Sequence, residues 1–362
     1  MTEFGETMMP RLSNSHPYIR RISFLLTQRC PIRCRHCVYR LGPSTNQDTD
    51  VVTQELLDWM EQAVEAGITE FCFTGGEPFL VYDTLQRAAS KVAHLRAKAG
   101  VITNAFWAVS EEAARRKLEP LCALQELSIS ADHFHQEYVP FERVRHAIVA
   151  ARTVGIPPRV KVAYTDDNEV TILQNSLADV LAPDEMDADM LRNVGRMVEQ
   201  EALAPPLPRE ALESGCQATT RAPTVLPDGS VCGCCGPILT LKGDHPMWLG
   251  NLREKSLSQI LRDVEFNVVY QLIRIRGPYA LYQLIADELD RPSFDMSSPC
   301  GLCYSLLSNR QSSTLLTARA HDFSLFREVA VERLLIFNEP VMLASLQWGE
   351  NAMANSLVGA GN

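Results

Sequence analysis

The stretch from Ile22 to Tyr39, ISFLLTQRCPIRCRHCVY, constrains this chain more than any other. Ile22 to Thr27 has strand character and passes into a loop that carries Cys30, Cys34 and Cys37 in a C-x3-C-x2-C spacing. Three thiolates on one short loop can wrap a face of an iron–sulfur cubane, because thiolates are the ligands such clusters take. The fourth iron is then left without a protein ligand and can chelate a small molecule. The same residues also admit a zinc knuckle or three buried thiols. Zinc, however, favours four protein ligands in paired CxxC units, and a loop rich in arginine is poor core material.

The chain has 362 residues, enough for one large domain with an appendage or for two domains. No apolar run approaches the ~20 residues that span a bilayer, and Met1 to Tyr18 has no hydrophobic signal region. The expectation is a cytoplasmic protein with no membrane contact. A net charge of −10 argues against nucleic-acid binding, which needs a basic footprint, and leaves small molecules as the expected partners. Eleven cysteines in such a chain point to metal rather than to disulfides.

Beyond the cysteine loop, Ser44 to Asp50 reads as a polar connection, and the periodicity alternates between strand and helix. Leu56, Leu57, Met60, Ala63 and Val64 predict a helix that stops at Gly67, followed by a strand over Glu70 to Thr74. A helix through Leu85, Ala88, Val92 and Leu95 is expected to end at Gly100, with a third strand over Val101 to Thr103. Ser110 caps the next helix through Leu121, and Glu126 to Ser130 forms strand four. A helix with Val144, Ile148, Ala151 and Val154 leads to strand five over Arg159 to Tyr164. A helix over Thr171 to Leu181 and a sixth strand over Met190 to Val194 complete the series. The fold class is therefore α/β, a partial (β/α)6 TIM-like barrel with a cysteine-rich C-terminal extension. The proline-rich Ala202 to Arg209 marks the boundary, which gives a barrel over residues 1–201, an extension over 202–310, and a C-terminal helix and disordered tail over 311–362. His16 reads as a surface residue, Ser324 to Phe337 as an amphipathic helix, and the tail after Gly349 as disordered.

Thr74-Gly75-Gly76-Glu77-Pro78 follows the second strand and falls on the same barrel mouth as the cysteine loop. Two glycines let backbone approach a ligand, and Glu77 offers an acceptor for an ammonium group; an ordinary tight turn is the plainer alternative. Together the cysteine loop and this GGEP run resemble the radical S-adenosylmethionine (SAM) superfamily. The resemblance implies a SAM-binding 4Fe-4S cluster on Cys30, Cys34 and Cys37, and a 5'-deoxyadenosyl radical that abstracts hydrogen from a substrate. It implies that Gly75, Gly76, Glu77 and Pro78 hold the SAM amino group and that His36 stacks on adenine. By position, Thr103, Asn104, Ser130 and Asp132 resemble the family's weaker ribose-binding elements and could hold the ribose hydroxyls and methionyl carboxylate of SAM, although Ser and Asp are also common turn formers. His133 and His135 lie on the same rim and suit a hydroxylated substrate or SAM, or face solvent. Asn193-Val194-Gly195-Arg196 resembles a glycine-arginine element in which Arg196 faces the barrel interior and binds a carboxylate or alkoxide; a salt bridge that closes the barrel is the alternative.

A second cysteine set lies beyond the boundary. Cys216, twelve residues, Gly229, four residues and Cys234 are followed much later by Cys300-x2-Cys303. This resembles the twitch domain, an abbreviated SPASM extension with one auxiliary 4Fe-4S cluster, and Gly250-Asn251-Leu252 also matches SPASM-like sequences. Asp228-Gly229 reads as a hairpin turn. Cys232 or Cys235 could replace Cys234, and a zinc ribbon is the alternative to a cluster. Cys72 and Cys122 read as small buried hydrophobes.

The layout is similar to the twitch-bearing dehydrogenase of aminocyclitol antibiotic assembly. It implies an enzyme that abstracts hydrogen from a sugar, aminocyclitol or nucleoside-sugar in specialised metabolism, supplied with electrons by a flavodoxin- or ferredoxin-type donor. Alcohol oxidation, decarboxylation and epimerisation stay open as outcomes, with the auxiliary cluster as electron relay. The alternative is a SPASM-type maturase that modifies a ribosomally made peptide or activates a partner enzyme.

Overall fold

The computed structural model describes residues 19–44, 49–199, 208–216, 222–241, 245–289, 294–319 and 322–346. His16, most of the Ser44–Asp50 connection, most of the proline-rich boundary and the tail after Gly349 lie outside these residues.

Six strands run parallel in the order β6-β5-β4-β3-β2-β1: β1 (Arg21–Thr27), β2 (Glu70–Gly75), β3 (Lys98–Thr103), β4 (Glu126–Ser130), β5 (Pro158–Tyr164) and β6 (Met186–Met190). Between them lie α1 (Thr53–Glu65), α2 (Tyr82–Leu95), α3 (Glu111–Leu118), the single turn α4 (His133–Gln136), α5 (Phe141–Thr153) and α6 (Asp167–Leu177). β2 and β5 alternate buried and half-buried positions because side chains on a strand take opposite faces. Phe71, Phe73, Val101, Leu127, Ile129, Val160 and Val162 pack into one core with Leu56, Met60, Leu85, Ala88, Val92, Ile148 and Ala151 of the helices. The opposite face is polar. Cys72, Gly100, Glu126, Ser128 and Lys161 line a cavity of ≈ 320 Å³ there.

Several sequence boundaries move, among them the start of β3, at Lys98 rather than Val101, and the end of α6, at Leu177 rather than Leu181. α2 ends at Leu95, where Arg96 takes a left-handed conformation and caps it, so Gly100 is not a helix stop. Gly100 instead sits inside β3, where a Cβ would lie 3.1 Å from the Cβ of Glu126 on the neighbouring strand. α6 starts at Asp167 because the Asp166 side chain accepts from the Asn168 N–H as an N-cap. β6 is Met186–Met190 rather than Met190–Val194, and Gly195–Glu199 is a 3-10 turn.

After α7 (Arg209–Leu212), the C-terminal strands extend the same sheet. β7 (Thr224–Val225) pairs parallel with β1, then β8 (Ser230–Cys232) and β9 (Trp248–Asn251) follow antiparallel. Gly229 at φ +85° makes the expected Asp228-Gly229 turn. β1, flanked on both edges, is accordingly buried along nearly its whole length. Among the described residues, six helices follow β9: α8 (Leu257–Glu265), α9 (Val268–Arg276), α10 (Pro278–Ile285), α11 (Pro299–Ser308), α12 (Arg310–Arg319) and α13 (Phe323–Phe337). α13 is fastened by a buried ion network in which Arg333 meets Glu265 and Glu339, and Arg274 meets Glu339 at 2.7 Å. No helix among the described residues is long and apolar enough to cross a membrane.

Candidate active site at the cysteine loop

The loop after β1 gathers Cys30, Cys34 and Cys37 into one small cluster with Ile32, Val139 and Phe106. Burial pushes the Cys30 thiol up to about 12, against a backbone hydrogen bond from Ile32 that pulls it down. Three thiols held together on the mouth side of a parallel sheet are a donor set that fits iron–sulfur ligation. Binding would release their protons.

The loop is held mainly through its backbone. Gly76 N–H donates to the Thr27 carbonyl at 2.7 Å, and Glu77 N–H to the Arg29 carbonyl at 2.9 Å. A Cβ on Gly76 would lie 2.0 Å from that Arg29 oxygen, and one on Gly75 2.3 Å from the Thr27 oxygen. The glycines are therefore required for the turn to touch the cysteine loop, before any ligand is considered. Glu77 is fully buried, with Pro78 opening the 3-10 turn behind it. Its carboxylate accepts from Thr103 Oγ1 and Asn104 N–H, each at 2.8 Å, and from Phe79 N–H at 3.2 Å. Burial raises its carboxyl to about 7 against these hydrogen bonds. Expected as an ammonium acceptor, the Glu77 side chain ties β2 to β3. Thr103 also accepts from Trp107 Nε1 at 2.9 Å, and Asn104 Nδ2 lies 3.8 Å from the Cys30 sulfur.

Arg196 is buried and does not reach into the barrel as a free cation. Its guanidinium donates to the carbonyls of Cys34 and Leu41, and its N–H donates to the Cys37 carbonyl at 3.0 Å. Gly195, at φ +61°, allows this contact, since a Cβ there would lie 2.5 Å from the Cys37 oxygen. The planar fork grips two carbonyls of the loop at once.

Asp132 is also buried, and it caps α4 by accepting from His135 N–H at 3.1 Å. The same carboxylate lies 2.9 Å from His135 Nδ1 and 3.5 Å from His36 Nε2. Burial would raise the Asp132 carboxyl, but His135 and His36 hold it far below the usual carboxylate range. Burial would lower His135, but Asp132 and then Cys34 carry it up to about 10. Ring nitrogens of His36 and His135 and the Cys34 sulfur all lie within 4.8 Å of one another. His36 packs on Phe134 at 4.8 Å and edge-on to His135 at 4.9 Å, so part of its ring is already covered. His133 points away to pair with Glu169 at 2.9 Å and is substantially exposed. Ser130 is half-buried at the end of β4.

The second set also converges. Cys216, Cys234, Cys300 and Cys303 line one apolar cavity with Pro237, Ile238, Ile273, Pro278 and Pro299. Cys300 lies in the first turn of α11 and Cys303 three residues on, which places them on one face. Cys234 accepts from Gly236 N–H at 3.0 Å, while Cys232 and Cys235 are not among the lining residues. Burial pushes Cys300 up to about 11 and raises Cys234 and Cys303 as well. The four-thiol apolar pocket fits a fully ligated cluster. Contrary to expectation, Cys122 is exposed and Cys72 is half-buried on the polar face of the sheet.

Several braces escaped sequence reading. Asp50 receives Arg29 Nε at 2.9 Å and Thr27 Oγ1 at 2.5 Å, and Tyr39 OH donates to the Cys235 carbonyl at 2.5 Å. The last joins the two cysteine regions across 196 positions, a separation that no local pattern signals.

Residues 24–166 match the family model "Radical SAM superfamily", and residues 216–304 match "Iron-sulfur cluster-binding domain" (SPASM). The chain is 23% identical over 306 residues to YydG of Bacillus subtilis (strain 168), named as a peptide biosynthesis protein, covering 81% of this chain and 94% of the relative. It is 25% identical to the GTP 3',8-cyclase of Listeria welshimeri serovar 6b over 46% of this chain and 52% of that one, so it spans about half of that relative. Among solved structures, Streptococcus suis SuiB bound to S-adenosylmethionine superposes with a TM-score of 0.51 at 13% identity, covering 84% of this chain and 75% of SuiB. SuiB has also been solved bound to its precursor peptide SuiA.

Proposed function

The chain belongs to the radical SAM superfamily and carries a SPASM iron–sulfur domain, and from that premise we propose that it is an enzyme that modifies a peptide. The observation that carries this reading is the match to YydG, which covers 81% of this chain and 94% of a protein named for peptide biosynthesis. A sugar, aminocyclitol or nucleoside-sugar substrate, the first expectation from the cysteine layout, gives way to the maturase alternative on that ground.

When bound, the cluster and S-adenosylmethionine supply a 5'-deoxyadenosyl radical for hydrogen abstraction. Cys30, Cys34 and Cys37 would hold the first cluster, and Cys216, Cys234, Cys300 and Cys303 the auxiliary one. Gly75 to Pro78, His36, Asn104 and Ser130 border the space for S-adenosylmethionine. Arg196, Glu77 and Thr103 act as positioning residues, since each fixes loop backbone or a strand end. The mouth at the C-terminal ends of the strands, which carries the cysteine loop, would receive the peptide. A flavodoxin- or ferredoxin-type protein would serve as electron donor.

The test is deuterium transfer. Reconstituted enzyme with a strong reductant is given, in parallel, a pool of perdeuterated peptides and a pool of perdeuterated sugars and aminocyclitols. Deuterium in 5'-deoxyadenosine from the peptides is the expected result. Transfer from the sugar pool alone would overturn the reading.

A further inference from the structure

β6 is an outer strand of the sheet, and among the described residues nothing pairs with its far edge. Its exposure rises along its length, with Ala188, Asp189 and Met190 all exposed. Leu191 N–H donates to the Tyr164 carbonyl, so by strand alternation Asp187 and Asp189 also direct their backbone groups toward β5. The N–H and C=O groups of Ala188 and Met190 therefore point outward, while the Met186 N–H already donates to the Pro183 carbonyl. Such a row is a template for a further strand.

The side chains add a charge preference. Asp187 is neutralised by Arg159, at 2.6 Å, and by Lys161. Asp189, one rung nearer the cysteine-loop mouth and on the same face, has no ion pair among the described residues.

We propose that the peptide substrate docks in extended form as a seventh strand on the free edge of β6, with a lysine or arginine side chain set against Asp189. This rests on the peptide-modifying reading and specifies how that peptide is held: main-chain hydrogen bonds to Ala188 and Met190 give affinity, and alternate side chains turn toward the polar face of the sheet. The added strand narrows the gap left by the open barrel and runs toward the cysteine loop.

The probe is a synthetic ten-residue peptide of alternating lysine and valine. Its binding to the full-length reconstituted protein is followed by fluorescence anisotropy and by hydrogen exchange at single amides. The expected result is protection at Ala188 and Met190, and affinity about tenfold weaker when the backbone nitrogens of the peptide are N-methylated, which removes main-chain donors and keeps the side chains. Asp189→Asn should weaken binding by up to about fivefold, the range of an exposed ion pair, and a glutamate–valine peptide should bind more weakly still. Ala188→Pro removes an outward N–H that no partner among the described residues uses, and should abolish protection at Met190; Ala188→Val keeps that N–H and should retain it. Unchanged affinity of the N-methylated peptide, protection confined to other segments, or no binding of the lysine–valine peptide would each overturn the docking mode. The peptide reading itself stands or falls separately, on the deuterium transfer described above.

Discussion

The two cysteine sets solve opposite problems. The first sits on one eight-residue span from Cys30 to Cys37, and its loop is gripped by hydrogen bonds from distant segments: Arg196 on the Cys34 and Leu41 carbonyls, and the Gly76 and Glu77 amides on the Thr27 and Arg29 carbonyls. The second is drawn from three separate segments and lined by prolines and isoleucines. A centre that must admit a ligand cannot be enclosed in apolar packing, so its rigidity comes from polar clasps around an open side. A centre with all its ligands in place can be closed over, and burial is enough to position it.

The sharpest way to break this comparison is to remove each set in turn. Wild type should hold about eight irons in two 4Fe-4S clusters, and the variant lacking Cys30, Cys34 and Cys37 about four, with 5'-deoxyadenosine release abolished. Cys303→Ala, if folded, should lose the other four and still release 5'-deoxyadenosine. Iron and nucleoside assays decide both, and a wild-type count near twelve would mean that more than one auxiliary cluster is present.

Next in size is the glycine turn. Gly76→Val should cost about 2–3 kcal/mol or more through overpacking against the Arg29 carbonyl. It should deplete iron at the first site only. An iron-replete variant with weakened S-adenosylmethionine binding alone would show that the turn's glycines serve the ligand and not the loop.

Arg196→Met leaves loop carbonyls without their donors, a loss of about 1–3 kcal/mol. Arg196→Lys should recover part of it, because an ammonium lacks the planar fork that reaches both carbonyls. The readout is the rate of iron loss to a chelator, measured at each site by its electron paramagnetic resonance signal. Equal loss at both sites would dissolve the distinction between clasped and packed centres.

The smallest expected effect concerns pH. Burial raises the Glu77 carboxyl to about 7, so between its ordinary value and 7 the folded chain binds the extra proton. This contribution to stability is present in full below the unfolded pKa and is lost as pH rises through 7. Glu77→Gln should flatten that part of the unfolding profile. An unchanged slope would remove the buried carboxyl from the account of the loop.

Much of this was legible locally. The C-x3-C-x2-C spacing, the GGEP turn, the strand–helix alternation and the Asp228-Gly229 hairpin each lie within a few residues of sequence, where periodicity and turn chemistry operate. The position of β6 was missed because two of the five residues in its sequence, MDADM, are acidic and break the apolar pattern of a strand; in the fold, Asp187 meets Arg159 and Lys161 on β5 and can occupy a strand. Gly100 looked like a helix stop because a glycine after an amphipathic run usually is one, and only the neighbouring Glu126 shows why β3 needs it.

The sequence by itself marked Cys30, Cys34 and Cys37 as one donor set and the barrel mouth on which it falls, since ligand spacing and strand direction are local properties, whereas only the fold brought Cys234, and not Cys232 or Cys235, to the cavity of the second set. The tertiary structure alone decided what Arg196, Glu77 and Asp132 do. Each is a charged group that could have faced a ligand, and each is turned instead onto backbone or imidazole partners. A buried charge must find compensation, and where that compensation lies is set by contacts between residues far apart in the chain.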